Sequence, residues 1–207
     1  AIIDGSLRAD GTTKFGPDSR WGFFPSLSLK WIISDEPWME PTKKWLSMFA
    51  IRPSWGRTGQ QPGQDYLYTS KYGSTNRYLD MQSMKPNNIR LTNMKWEIHE
   101  SWNGGIDLGF FNDRLTLTIE GYSQTTTDML LSNYRIPSNT GYENVAYKNQ
   151  GKMRNLGWEF HISSNRIITI GKKFWVDVNA NFGNNRNELL ELDDLTLDSY
   201  NTVYGFS

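Results

Sequence analysis

The sequence has no cysteine in 207 residues. That excludes a disulfide framework, a thiol nucleophile and a cysteine-based metal site, and it leaves the redox compartment open. It also has no excess of charge: 22 Lys and Arg balance 22 Asp and Glu. The basic residues are scattered, so nothing in the chain draws nucleic acid. Histidine is scarce. His99 and His161 are the two, and neither has a metal-ligand spacing such as H-E-x-x-H, so no catalytic or metal role is read for them. No apolar run is long enough for a membrane-spanning helix, which excludes a helical membrane protein. A membrane β-barrel stays open, because only every second residue of its strands must be apolar. An initiator Met and a leader segment are missing from the start, and the chain reads as a piece of a longer protein.

What the chain does have is aromatic residues, with nine Trp among them, and recurrent period-two alternation. The alternation predicts about seven strands, at 2–9, 21–34, 45–58, 96–109, 114–125, 156–166 and 174–186. Residues i and i+2 share a face of a strand. Arg8, Lys30, Arg52, Asp107, Glu120, Glu159, His161 and Asp177 then fall on a polar face, opposite Leu, Ile, Val, Phe and Trp. Glu100 is the exception, near a strand end. Lipid enforces such sorting, at a cost of about 2–4 kcal/mol for a mid-bilayer Arg or Lys. A soluble β-sandwich sorts its two faces in a similar way, so alternation alone leaves membrane and water equally open.

The connections favour the membrane. Long segments at 59–95 and 126–155 and tight ones such as "FFND" suit up-and-down strands with the long loops on one rim, the pattern of outer-membrane barrels. Trp21, Phe23, Trp31, Trp45, Trp55, Trp96 and Phe110 lie at or near strand ends, where interface girdles form. Pro25 and Pro53 fit less well, since proline cannot donate to a ladder. They are expected at bulges or beyond the paired region.

The ordered series "SLRADGTTKFGPDSRWGFFPSLSLKW", "RPSWGRTGQQ", "MKWEIHESWNGGIDLGFFNDRLTLTIEGYSQTTTDMLL", "IPSNTGYENVAYKNQGKMRNLGWEF" and "VDVNANFGNNRNELLEL" resembles the SusC-like branch of TonB-dependent outer-membrane transporters of Bacteroidetes-type bacteria. Arg8 to Gly16 match the family's R-x-D-G-S/T-S/T-K-F-G loop, and Ser54 to Gln61 its S-Y/W-G-x-T-G-N/Q-Q segment. Lys95 to Glu97, Asn112 to Arg114, Asp128 to Leu131 and Asn155 to Glu159 match its K-W-E, N-x-R, D-x-L-L and N-x-G-x-E elements. The resemblance implies an all-β, antiparallel transmembrane barrel of about 22 strands closed around a plug. Residues 1–207 are then a partial barrel domain from its later part, with the plug and N-terminal extension elsewhere.

The resemblance further implies multi-pass residence in the bacterial outer membrane, amid its lipid, and TonB-dependent import of oligosaccharides or peptides. A SusD-like lipoprotein lid would act on the outer rim, and TonB–ExbB–ExbD through the N-terminal part. Neither an enzyme nor a cofactor is implied. The residues themselves add candidates. Gln60, Gln61, Tyr66, Tyr68, Tyr72 and Tyr78 in the first long segment, and Tyr134, Tyr142 and Tyr147 in the second, offer rings, amides and hydroxyls suited to sugars or peptides, or to packing of the loops themselves. The eight polar-face residues named above are expected to line the lumen. "NNRNELLELDD" could hold Ca²⁺ in an extracellular loop, but it lacks EF-hand spacing and reads better as a solvated loop. Two rival readings are a soluble secreted β-sandwich that binds glycan and a passive porin-like channel.

Overall fold

Alternation in the sequence becomes one continuous sheet. The computed structural model describes residues 1–192 apart from 79–80, 87, 137, 141, 143, 167 and 171–173. In chain order the strands are β1 (Ile2–Gly11), β2 (Trp21–Ile32), β3 (Leu46–Gln60), β4 (Tyr72–Tyr78), β5 (Met81–Pro86), β6 (Glu97–Phe110) and β7 (Leu115–Thr127). There follow β8 (Leu130–Arg135), β9 (Asn144–Asn149), β10 (Lys152–Ser164), β11 (Ile168–Ile170), β12 (Phe174–Val176) and β13 (Asn179–Glu191). Seven of them form the sheet β1-β2-β3-β6-β7-β10-β13, with every neighbour antiparallel. The pairs β4–β5, β8–β9 and β11–β12 are two-stranded hairpins within the connections.

Register assigns the faces. Ile51 lies opposite Ile106, Ile106 opposite Ile119, Ile119 opposite Phe160 and Phe160 opposite Phe182, while Leu27, Trp55 and Trp102 follow one another on the same side. This face is bare: Leu7, Leu27, Trp102, Trp158 and Phe182 are each more than half exposed. A β-sandwich would bury such a face against a second sheet about 10 Å away. Among the described residues the remaining sheets are only hairpins, and the seven strands form a single-layer antiparallel sheet with one face uncovered.

Buried side chains gather instead at the two strand ends. At one end Ile33, Met39 and Leu46 pack with Phe49, Leu108 and Phe110. There the 33–45 connection lies on the apolar face, Trp45 stacks on Phe110 at 6.1 Å, and Trp31 Nε1 donates to Glu36 at 2.9 Å. Toward the other end Trp55 meets the exposed Trp102 at 5.9 Å, and the buried side chains there, Phe15, Phe24 and Trp96 among them, lie just beyond. Between Trp102 and Phe110 the strand spans ~27 Å, or ~20 Å in height at barrel tilt, close to the ~25 Å apolar band of outer-membrane barrels.

Several details differ from the sequence reading. The strand expected at 174–186 is two elements. β12 folds back on β11, and β13 begins at Asn179 and continues to Glu191. Asp177, placed by the sequence reading on a polar strand face, therefore sits in the break between them, and its carboxylate accepts the Arg166 backbone N–H. Asn184 to Glu191 lie in β13 instead of a loop, while Asp193 and Asp194 fall outside the described residues. Neither proline marks a bulge. Pro25 pairs with Leu7 and Pro53 with Gly104, inside strands. What gives way is the β2–β3 ladder, which joins 26–28 to 54–56 and 31–32 to 50–51 but not the residues between or beyond. The absent donors fall where no ladder bond is made.

Candidate functional site

The polar face carries a central ion network. Arg52 Nε donates to Asp107 Oδ2 at 2.7 Å, and its Nη2 donates to Asp107 Oδ1 at 3.0 Å and Glu120 Oε1 at 2.8 Å. Thr118 Oγ1 adds a 3.3 Å bond to Asp107. The β3–β6–β7 register brings these groups together, since Arg52 opposes Gly105 and Gly105 opposes Glu120. A side chain on Gly105 would meet the guanidinium at about 3.2 Å, so the glycine lets the arginine lie across β6 to reach both acids. Glu159 lies directly across from Glu120, a like-charge pair that is unfavourable on its own. Lys30, Arg52 and Glu120 share a groove of about 380 Å³ with Ser54, Asn103 and Tyr122. His161 bonds Asn181, and Arg8 bridges Asp10 at 2.9 Å.

Above this network the polar face changes character. One cross-strand row runs Ser6, Ser26, Gly56, Ser101, Gln124, Asn155 and Asn187. The next runs Asp4, Ser28, Ser54, Asn103, Tyr122, Gly157 and Asn185. Apart from Asp4 at the β1 edge, neither row holds a charge.

The rim beyond is organised by three connections, 12–20, 61–96 and 128–151, which share one buried cluster. Phe15, Phe24, Leu67, Met94 and Trp96 form it, with Leu91, Leu130, Ala146 and Tyr147 packed against it. Trp96 meets Phe15 at 5.2 Å and Phe24 at 5.5 Å. Gly22 and Gly59 leave room for these rings, for a Cβ on Gly59 would lie 2.2 Å from the Phe24 ring. Asn149 stitches two of the connections: it accepts the Lys95 N–H at 2.8 Å and donates to the carbonyls of Lys95 at 2.9 Å and Asp128 at 2.8 Å. His99 lies 2.9 Å from Thr126 Oγ1, 3.2 Å from Glu97 and 3.4 Å from Gln60.

The two long segments are thus not simple loops. Gln60 ends β3, Tyr72 opens the β4–β5 hairpin, and Tyr147 lies in β9, packed against the buried cluster with its hydroxyl beside Gly63. Tyr66 and Tyr72 are largely exposed, and Gln61 is exposed as well. Lys71 lies over the Tyr66 ring at 5.6 Å, and Lys148 over Tyr134 at 4.4 Å. Tyr68 accepts a bond from Arg90 through its carbonyl at 3.1 Å, and Tyr142 joins Thr140 at 3.4 Å. Tyr78 closes β4. Trp96 is buried in the rim cluster rather than placed in an interface girdle.

Three features escaped the sequence reading. One is the rim cluster, signalled only by Phe15 standing apolar in a polar stretch. Asn149 as a stitch carries no sequence signal. The third is the set of partners of Glu100. Its carboxylate accepts Trp55 Nε1 at 2.9 Å and Arg57 Nη2 at 2.9 Å, so the charge on the apolar face is paired and sits just past the Trp55–Trp102 contact.

Comparison with known proteins agrees with this architecture. The profile of the TonB dependent receptor-like, beta-barrel family matches residues 2–204. The chain is 37% identical over 195 residues to TonB-dependent receptor SusC of Bacteroides thetaiotaomicron, covering 90% of this chain and 19% of that protein. It is 34% identical over 193 residues to TonB-dependent receptor P39 of Formosa agariphila, covering 93% and 18%. Among solved structures it resembles the RagAB peptide importer in its open-open state, with TM-score 0.81 and 29% identity over 93% of this chain and 20% of that one. The closed-closed state gives TM-score 0.79. The chain spans about a fifth of the length of these relatives.

Proposed function

We propose, given that this chain belongs to the TonB dependent receptor-like β-barrel family, that it forms wall and outer-rim loops of an energised importer in the bacterial outer membrane. The observation that carries this reading is the two-faced wall. Its bare apolar side suits acyl chains, while its other side holds charges that bond one another, as a polar lumen requires. Arg8, Lys30, Arg52, Asp107, Glu120, Glu159 and His161 face that lumen. The rim bearing 61–96 and 128–151 is extracellular, because outer-membrane barrels put their longer connections there. A SusD-like lipoprotein closes over this rim, with the exposed Tyr66 and Tyr72 within its reach. TonB–ExbB–ExbD supplies the drive through the N-terminal part of the protein. The substrate is an oligosaccharide or peptide too large for passive pores.

The test is uptake in the source bacterium. Deleting the full-length gene should abolish import of a labelled polysaccharide or peptide digest, and a proton uncoupler should abolish it in cells that keep the gene. Import that survives the uncoupler makes the barrel a passive channel and overturns the proposal.

A further inference from the structure

The connection between β2 and β3 lies at the wall end opposite the rim cluster, and it folds onto the apolar side. Ile33, Met39 and Leu46 pack there with Phe49, Ile51, Leu108 and Phe110, and the Trp45 carbonyl accepts the Phe111 N–H at 3.0 Å. The middle of the connection is a 3₁₀ helix, Pro37–Thr42. Its turns continue through Lys43 N–H to the Glu40 carbonyl at 3.3 Å and Trp45 N–H to the Thr42 carbonyl at 3.1 Å. With three residues per turn, side chains at i and i+3 eclipse. Met39, Thr42 and Trp45 therefore share one edge, and the buried Met39 turns that edge toward the wall.

The two remaining edges differ from each other. One carries Trp38, Pro41 and Lys44, the other Pro37, Glu40 and Lys43, and all six residues are exposed, Trp38 by 62%. Glu36 is engaged by Trp31 Nε1. Among the described residues, the side chains of Asp35, Trp38, Glu40, Lys43 and Lys44 have no hydrogen-bond or ion-pair partner. The free charges are thus two acids and two bases. A balanced set of this kind favours neither a plain anion nor a plain cation. It fits a group that carries both signs, a phosphate beside an ammonium. Trp38 adds an apolar ring with a donor at its tip, which suits the level where hydrocarbon meets polar headgroups.

Resting on the importer reading, which puts this end of the wall in the periplasmic leaflet, we propose that the 33–45 connection is a binding site for a membrane lipid with a zwitterionic headgroup, an aminophospholipid. Trp38 and Pro41 meet its acyl chains, Lys43 and Lys44 its phosphate, and Glu40 its ammonium group. Lys44 reaches the phosphate by extending its stem past the apolar edge. The occupant is lipid because the site continues the bare apolar face without a break. Phe49 and Leu108, which support Met39, stand opposite each other one step from the Ile51–Ile106 pair in the band that acyl chains cover.

The experiment places a photo-reactive p-benzoylphenylalanine at Trp38 or, on the polar face, at Asn103 of the full-length transporter. The protein is folded into vesicles of equimolar phosphatidylethanolamine and phosphatidylglycerol, and adducts are identified by mass after irradiation. Position 38 should yield mostly phosphatidylethanolamine adducts and position 103 no lipid adduct. Combining Glu40→Gln, Lys43→Gln and Lys44→Gln, all at exposed positions, should lower the phosphatidylethanolamine yield at position 38 roughly threefold. Excess inorganic phosphate should leave the yield of the unsubstituted connection unchanged. Equal yields from the two lipids, a yield that free phosphate suppresses, or no lipid adduct at position 38 overturns the site. Any of these with uncoupler-sensitive uptake intact in cells leaves the importer reading standing; uptake indifferent to the uncoupler removes that reading instead.

Discussion

At the scale of the residue, Arg52 is the clearest structural bet on the polar face. It satisfies two acids that otherwise stand near each other and near Glu159. About a third of its side chain is exposed, so solvent screens the pairing and moderates its value. Arg52→Met should lower the unfolding free energy of the full-length barrel in detergent by about 1–2 kcal/mol, read by urea titration. The loss should shrink in 1 M salt, because the wild-type pairing is then screened. An unchanged midpoint would show that the network adds no stability. Alternation made Arg52, Asp107 and Glu120 legible as members of one face. Their contact was not legible, because it depends on which residue of β3 stands beside which residue of β6.

At the scale of the element, the rim connections and the tight turn decide what is rigid. Gly59→Val should drive a side chain into the Phe24 and Trp96 rings and open the shared cluster. Hydrogen exchange should then speed up together in 12–20, 61–96 and 128–151. A change confined to one of the three would refute their common core. In the turn between β6 and β7, Phe111, Asn112 and Asp113 all have positive φ, at 54°, 58° and 60°. Such a conformation is strained for residues with a Cβ, and asparagine tolerates it better than most. Asn112→Gly should stabilise by up to about 1 kcal/mol and Asn112→Val should destabilise by more than that, on the same urea titration. The sequence signalled this turn through its brevity and its Asn and Asp. It did not signal the hairpins inside the long connections, whose short strands alternate too briefly to stand out among polar residues.

At the scale of the whole molecule, the apolar face makes the strongest prediction. Ile106 lies mid-band between Trp102 and Phe110 on β6, with Asn103 on the opposite face. Ile106→Arg should cost the full-length barrel about 2–4 kcal/mol when folded into vesicles. Asn103→Arg, facing the lumen, should cost under about 1 kcal/mol. Equal costs would mean that lipid does not cover the apolar side. Alternation alone could not separate membrane wall from sandwich at this scale; the alternation of long and tight connections and the ordered motifs did that. Alternation records that one side is apolar and stays silent on what lies against it.

By itself, then, the sequence determined the all-β class, the two-faced character of nearly every long strand and, through the ordered motifs from Arg8 to Glu159, the family. Those properties are local: they follow from residue types at fixed short spacing. Tertiary structure alone decided the bareness of the apolar face, the gap and the early end of the β2–β3 ladder where Pro53 and Pro25 fall, the turn-anchoring role of Asp177 and the alignment of uncharged side chains into rows. Each of these depends on the register between strands that are distant in the chain. Register is fixed by the summed fit of whole strands, which no single stretch of sequence contains.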